Sequence, residues 1–191
     1  FCSKLLIPEP KETGKAPCMI VFCAFDQQMF LIEEAKKYGF NNYINLVFRK
    51  NFSAQVLKAN MRIVGNCEYG IILYRDKLPK FNNNSKMIFN CLDWEKDTTS
   101  KKLHPTQKPV AVLKKLIALF TDEGEVVIDP VAGSGSTLIA AHELGRKAFG
   151  FEIKKEYYTA AQKWIDEALA KQDIFISGVK KRTHHTDLFI K

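Results

Sequence analysis

The sequence lacks the marks of several protein classes. No apolar run approaches the roughly 18–20 residues that a membrane-spanning helix needs, which excludes a membrane helix. The opening Phe1-Cys2-Ser3-Lys4-Leu5-Leu6-Ile7 is too short for a secretory signal and carries no initiator Met, as expected of a cut or processed end. The five cysteines (Cys2, Cys18, Cys23, Cys67, Cys91) are odd in number and never fall in a C-x-x-C pair, which suits neither a disulfide framework nor a zinc site. They are expected to be small buried thiols in a reducing cytoplasm, and no metal is expected. Internal repeats are absent, and Asn82-Asn83-Asn84 is the only low-complexity tract.

What is there is ordinary for a globular chain. Its 191 residues suffice for one domain, with 46% hydrophobic and 26% charged residues. The net charge is +8, spread evenly: 14 basic and 10 acidic residues lie in 1–97, and 15 and 11 in 98–191. A diffuse positive balance permits binding to a polyanion without establishing it.

Residues 8–17 read as an exposed loop. Residues 19–25 form a continuous apolar run of strand length, as in a strand covered on both faces. Asp26 can cap a helix over about 27–38 that carries Met29, Ile32 and Ala35 on one stripe and stops at Gly39. Residues 44–48 and 69–74 are further strands by their β-branched and aromatic content. Two stretches read as loops or inserted segments: basic residues 49–62, with Phe52 inside, and 75–100, basic over its first half.

From residue 100 the pattern becomes regular. Pro109 opens a helix with Val110, Leu113, Leu116, Ile117 and Phe120 on one side. Residues 126–128 are a short buried strand, residues 129–136 a glycine-containing turn, and the next helix ends at Gly145. A strand over 148–153 and a helix over about 155–170, with Tyr157, Ala161, Trp164, Ile165 and Ala168, complete a βαβ pattern. That pattern predicts an α/β fold with a mostly parallel, doubly wound sheet and helices on both faces.

The chemistry lies in Asp129-Pro130-Val131-Ala132-Gly133-Ser134-Gly135-Ser136-Thr137. Gly133 and Gly135 let backbone approach a ligand closely, and the following helix presents free N–H groups and a positive dipole end. Glu152, at the end of the next strand, can accept hydrogen bonds from both hydroxyls of a ribose. A nucleoside-triphosphate loop would need a Lys after Gly135, and a dinucleotide turn would need a glycine where Leu138 stands. S-adenosylmethionine, with a ribose but no phosphate, fits the acidic Asp-Pro turn better than either.

This loop resembles the cofactor loop of the DNA adenine-N6 and cytosine-N4 methyltransferases, written DPFAGSGTT, from which Val131 and Ser136 depart mildly. His104-Pro105-Thr106-Gln107-Lys108-Pro109 is similar to the same family's second cofactor motif, and Phe149-Gly150-Phe151-Glu152-Ile153, then Tyr157-Tyr158, to its ribose-binding strand and next helix. The resemblance is specific over 103–170 and weaker over 19–97. It implies a Rossmann-like methyltransferase fold and a cofactor site of His104, Thr106, Lys108, Asp129, Pro130, Ala132, Gly133, Ser134, Gly135, Ser136 and Glu152. The motif order matches the permuted class, whose catalytic Asp/Asn/Ser-Pro-Pro-aromatic motif precedes the cofactor motifs. No Pro-Pro pair occurs here, so that motif is expected upstream of Phe1 or absent, and no catalytic residue is named.

The resemblance implies double-stranded DNA as partner and transfer to an exocyclic amine of a flipped base, adenine N6 rather than cytosine N4, in a restriction–modification setting of bacterial or phage type. Segments 49–62 and 75–100 fall where the family places DNA-contacting insertions, which makes Arg49, Lys50, Phe52, Arg62, Lys80 and Phe81 candidate contacts. Asn90-Cys91-Leu92-Asp93-Trp94 resembles an acid–aromatic pair of the family. The basic tail Lys180-Lys181-Arg182-Thr183-His184-His185 reads as a solvated end. A homodimer, a catalytically incomplete relative or partner subunit, and a nicotinamide oxidoreductase are the other readings carried forward.

Overall fold

The computed structural model describes residues 1–52, 55–98, 100, 102–104 and 106–176, and the basic tail at 180–185 lies outside them. The chain divides into two compact units, one of Phe1–Lys96 with Leu119–Thr121, the other of Asp97–Ala118 with Asp122–Lys191.

The first unit contains α1 (Cys2–Leu5), β1 (Met19–Cys23), a 3₁₀ turn (Phe25–Gln27), α2 (Gln28–Lys36), β2 (Asn42–Lys50), β3 (Gln55–Lys58), a 3₁₀ turn (Ala59–Met61), β4 (Ile63–Gly65), β5 (Cys67–Tyr74) and β6 (Cys91–Trp94). Four strands form a sheet in the order β1-β5-β2-β6. Since β5 runs antiparallel to both β1 and β2, and β6 runs parallel to β2, three of the four strands point the same way. Two of the three pairings in this sheet are antiparallel, because the reversed strand β5 lies between β1 and β2, so the sheet is mixed where a mostly parallel one was expected. That reversal is local: β2 and β5 are the arms of one long hairpin, which needs no crossover helix. Its tip is the β3–β4 ribbon, with Val56 opposite Val64. Segment 49–62, expected as a loop, thus holds the end of β2, the strand β3 and a 3₁₀ turn. β6 adds a strand within 75–100, where no strand was expected.

Side-chain alternation sorts the sheet into two faces. On one, Ile32 and Ala35 of α2 and Phe40 pack with Ile71 and Leu73, joined by Met19, Val21 and Cys23. On the other, Phe48 is fully buried, stacked on Phe22 at 5.1 Å and edge-on to Trp94 at 5.8 Å. Gly70 makes room for this cluster, because a Cβ there would stand 3.3 Å from the Phe48 ring.

Several local expectations are corrected. Asp26 makes no capping bond to α2; the Gln27 side chain instead accepts from the Ala24 N–H at 3.2 Å. Met29, expected on the buried stripe, is 65% exposed. Segment 8–17 is tied down at Ala16, which is buried and bridges to Pro79. The cysteines are only partly buried, and Cys91 is exposed, because Cys23, Cys67 and Cys91 occupy strand ends.

The second unit contains α3 (Val110–Phe120, its end grouping with the first unit), β7 (Val126–Asp129), α4 (Ser136–Glu143), β8 (Lys147–Gly150) and α5 (Lys155–Ile176). β7 and β8 pair in parallel, as the βαβ pattern predicted. Leu138, Ala140 and Ala141 of α4 are fully buried, as are Ala161 and Ile165 of α5.

Two outcomes follow from the first unit. Phe48→Ala should cost about 3–5 kcal/mol in denaturant unfolding, the usual effect of emptying a buried aromatic site; a loss below about 1 kcal/mol would show that the aromatic cluster is dispensable. Burial pushes the Cys18 thiol up to about 12, which depletes the reactive thiolate at neutral pH. Maleimide should therefore label exposed Cys91 well before Cys18, and mass mapping of the modified peptides would expose equal rates if this is wrong.

Candidate functional site

The site is built where the parallel strands β7 and β8 end. Asp129 is in register with Gly150, so the turn after β7 and the turn after β8 emerge side by side. Their backbones are cross-linked there: Phe151 N–H donates to Asp129 O at 3.0 Å, and Ala132 N–H to Phe151 O at 2.9 Å. Ligands in open α/β folds bind outside such carboxyl ends of strands.

Within the glycine turn, Asp129 accepts the Val131 N–H at 3.0 Å, a local bond that shapes the Asp-Pro corner. Gly133 has φ +53° and Gly135 φ +79°, both in the left-handed region that other residues avoid. Their surroundings differ. A Cβ on Gly133 would meet only Val131 O, at 3.9 Å, so that side of the turn is open to an approaching group. A Cβ on Gly135 would press on Ile165 and Ala161 at 3.1 and 3.3 Å, and one on Gly150 on Leu138 at 2.8 Å and Ala132 at 3.0 Å. Gly133 thus serves access, whereas Gly135 and Gly150 serve packing.

Glu152 lies two residues beyond β8, half-buried. One carboxylate oxygen accepts Gly133 N–H at 2.9 Å and the other accepts Lys154 N–H at 2.8 Å. An ionised carboxylate offers about four acceptor positions, so each oxygen keeps capacity for a further donor. Ser134 and Ser136 are buried, and the Ser134 hydroxyl donates to that of Ser136 at 3.4 Å. Pro130 is half-buried, and Ala132 is buried.

The second expected motif lies in the same unit. His104 Nδ1 accepts Thr106 N–H at 3.2 Å, and Lys108 Nζ reaches Thr106 O at 3.4 Å. Gln107, which sequence reasoning assigned no role, folds its side chain back to accept Leu103 N–H at 2.9 Å. Pro105 lies outside the described residues. Tyr157, which the resemblance placed only on the helix after the ribose-binding strand, has its ring edge-on to His104 with centroids 4.3 Å apart.

The six candidate DNA residues do not converge on one surface. Arg49 and Lys50 are consecutive on β2 and point to opposite faces. Arg49 pairs with Asp93 at 2.8 Å, and Lys50, 11% exposed, pairs with Glu68 at 2.5 Å beside the Trp94 ring. Phe52 follows within 6.0 Å of Lys50 Nζ. Arg62 sits in the turn of the β3–β4 ribbon with φ +55°. Lys80 and Phe81 belong to a separate strap: Lys80 N–H binds Ala16 O, and Phe81 packs on Phe120 at 5.5 Å. Upstream in that strap, Arg75 donates to the carbonyls of Ser3 and Ile7, and Lys77 to those of Pro10 and Lys11. Among the described residues no helix is long and apolar enough to cross a membrane.

Known proteins resemble this chain in sequence and in fold. The profile of the DNA methylase family N6_N4_Mtase matches residues 26–163. The DNA adenine methyltransferase YhdJ of Escherichia coli K12 is 32% identical over 161 residues, which are 83% of this chain and 50% of that protein. The structure of an M1.HpyAVI–SAM complex matches with TM-score 0.66 at 26% identity, over 78% of this chain and 74% of its own. The cytosine-N4-specific PvuII DNA methyltransferase matches with TM-score 0.66 at 16% identity, over 85% of this chain and 71% of its own, a likeness of fold alone. The chain spans 50% and 61% of the length of two curated relatives it matches.

The glycine geometry makes a sharp distinction. Gly150→Ala should lower the unfolding free energy by about 1–3 kcal/mol through overpacking. Gly133→Ala, whose Cβ has room, should lose only the roughly 1–2 kcal/mol of its left-handed backbone. Equal thermal shifts with bulkier residues at both positions would contradict this division.

Proposed function

We propose that this chain, which belongs to the N6/N4 DNA methylase family, is the cofactor-binding part of an enzyme that methylates an exocyclic amine of DNA. Its fold is that of the Rossmann-like methyltransferases, and we read its two units as one methyltransferase domain, since the family match runs through both. The observation that carries the reading is the Glu152 carboxylate bonded to Gly133 N–H beside the open side of the glycine turn.

The donor set fits S-adenosylmethionine. Glu152 keeps acceptor capacity for the two ribose hydroxyls, and Gly133 leaves space for a ligand against the backbone. Asp129, Pro130, Ala132, Ser134, Gly135 and Ser136 shape the turn, and the N–H groups at the start of α4 face the same end of the strands. His104, Thr106 and Lys108 supply polar groups for the methionine end. When bound, the cofactor supplies a methyl group already activated by its sulfonium. The protein's own part is positioning and electrostatics, which account for much of the rate in such transfers. No catalytic residue is assigned.

Double-stranded DNA is the proposed substrate, with the target base flipped out of the stack. Adenine is favoured over cytosine, in line with the 32% identical adenine methyltransferase. The β3–β4 ribbon is the proposed contact segment: Arg62 and Lys58 offer cations there, and Val56, Leu57 and Met61 are exposed apolar groups able to lie against sugars or bases. Phe52 leads into this ribbon, whereas Arg49 and Lys50 brace its base through their ion pairs. A homodimer remains the proposed assembly.

Calorimetry should register S-adenosylmethionine binding and no binding of NAD. Glu152→Ala should weaken that binding by about 1–3 kcal/mol, the cost of stranding ribose hydroxyls. Tight NAD binding, or unchanged affinity in the variant, would overturn the site assignment. In DNA titrations, Arg62→Ala should weaken binding and reduce the salt dependence by roughly one phosphate contact while cofactor affinity stays constant. An unchanged salt slope would remove the ribbon from the interface.

A further inference from the structure

We infer that Tyr157 is a positioning residue of the cofactor site, whose ring holds the segment carrying His104, Thr106 and Lys108 against the end of β8 so that both address one ligand. The inference rests on the reading of this site as an S-adenosylmethionine pocket.

Tyr157 is half-buried in the first turn of α5, within a unit whose cofactor segments are far apart in sequence. On one arm, its ring meets the His104 imidazole edge-on, centroids 4.3 Å apart and planes at 68°. That contact fixes the plane of the imidazole. His104 Nδ1 then accepts Thr106 N–H at 3.2 Å and lies 3.0 Å from Thr106 Oγ1, which leaves the neutral ring's proton on Nε2. On the other arm, Lys154 Nζ lies 5.4 Å from the Tyr157 ring centroid, within cation–π range. The backbone N–H of the same Lys154 donates to Glu152, whose second oxygen holds Gly133. One aromatic ring therefore touches the motif expected at the methionine end and the connection that orients the ribose carboxylate. Neither contact uses the phenolic hydroxyl as a partner, so the ring is the part that matters.

The test uses the full chain with S-adenosylmethionine as probe and two readouts, calorimetric Kd and the His104 imidazole resonances, assigned with His104→Gln. Tyr157→Leu should move the His104 resonances by loss of the ring current and raise Kd by about three- to tenfold, the scale of one aromatic contact. Tyr157→Phe should keep both. Wild-type affinity in Tyr157→Leu, or a Tyr157→Phe as weak as Tyr157→Leu, would overturn the inference. Should Tyr157→Leu not fold, the unaltered chain decides: a proton–proton contact between the His104 and Tyr157 rings must persist with cofactor bound, and its disappearance would overturn the proposal. An unaltered chain that binds no S-adenosylmethionine would instead overturn the reading of the site, and this inference with it.

Discussion

A single carboxylate ties together the two turns at the carboxyl ends of β7 and β8. Glu152 receives Gly133 N–H on one oxygen and Lys154 N–H on the other, and so joins the turn after β7 to the turn after β8. Hydrogen bonds to an ionised acceptor are roughly twice as strong as neutral ones, so this link resists opening of the glycine turn. Parallel pairing brings the two turns together at all: Asp129 opposite Gly150 fixes where both strands stop. The absence of a side chain at Gly150 then lets Leu138 and Ala132 close over the strand end. Access, packing and charge meet within a few residues, and each depends on the register of that strand pair.

In the first unit the governing constraint is the fate of its cations. The net charge of +8 invites a polyanion reading, yet several cations of this unit are engaged in ion pairs and hydrogen bonds with the chain itself. Lys50 neutralises Glu68 beside Trp94, Arg49 meets Asp93, and Arg75 and Lys77 satisfy carbonyls of the first eleven residues. Arg75 and Lys77 act as fasteners for an N-terminal segment that has few apolar anchors of its own. Charge count therefore overstates the cationic surface available to DNA. The ribbon at the tip of the β2–β5 hairpin, where Lys58 and Arg62 sit among exposed apolar side chains, is the part of 49–62 best suited to meet a partner.

The second unit was legible in the sequence because its signals are local. A short apolar strand, a two-glycine turn, a helix and an acid near the next strand end are all read within some twenty-five residues, and β7, α4, β8 and α5 form in the expected order, although Val126 is exposed and β8 stops at Gly150, short of the expected residue 153. The first unit was less legible for two physical reasons. A long hairpin with a polar, basic tip has the composition of a loop, so β3 and β4 gave no apolar alternation to read. Whether Met29 or Val112 is buried depends on what packs beside the helix, which periodicity alone does not record: Met29 proved exposed and Val112 buried. Within the proposed site, Asp129, Gly133, Gly135 and Glu152 were singled out by residue type and spacing, and the structure brings them together at the ends of β7 and β8. The contact of Tyr157 with His104 joins segments far apart in sequence, and the Gln107 side chain folds back on Leu103; neither contact can be read from residue type and spacing. The resemblance marked Tyr157-Tyr158 as part of the helix after Glu152 but gave no contact for them.

A crystal structure of the full chain with S-adenosylmethionine examines the arrangement most directly. The ribose hydroxyls should lie on the Glu152 carboxylate, with the ligand against the open side of Gly133. Density for the ligand away from the ends of β7 and β8, or a Glu152 that makes no contact with it, would contradict the pocket described here.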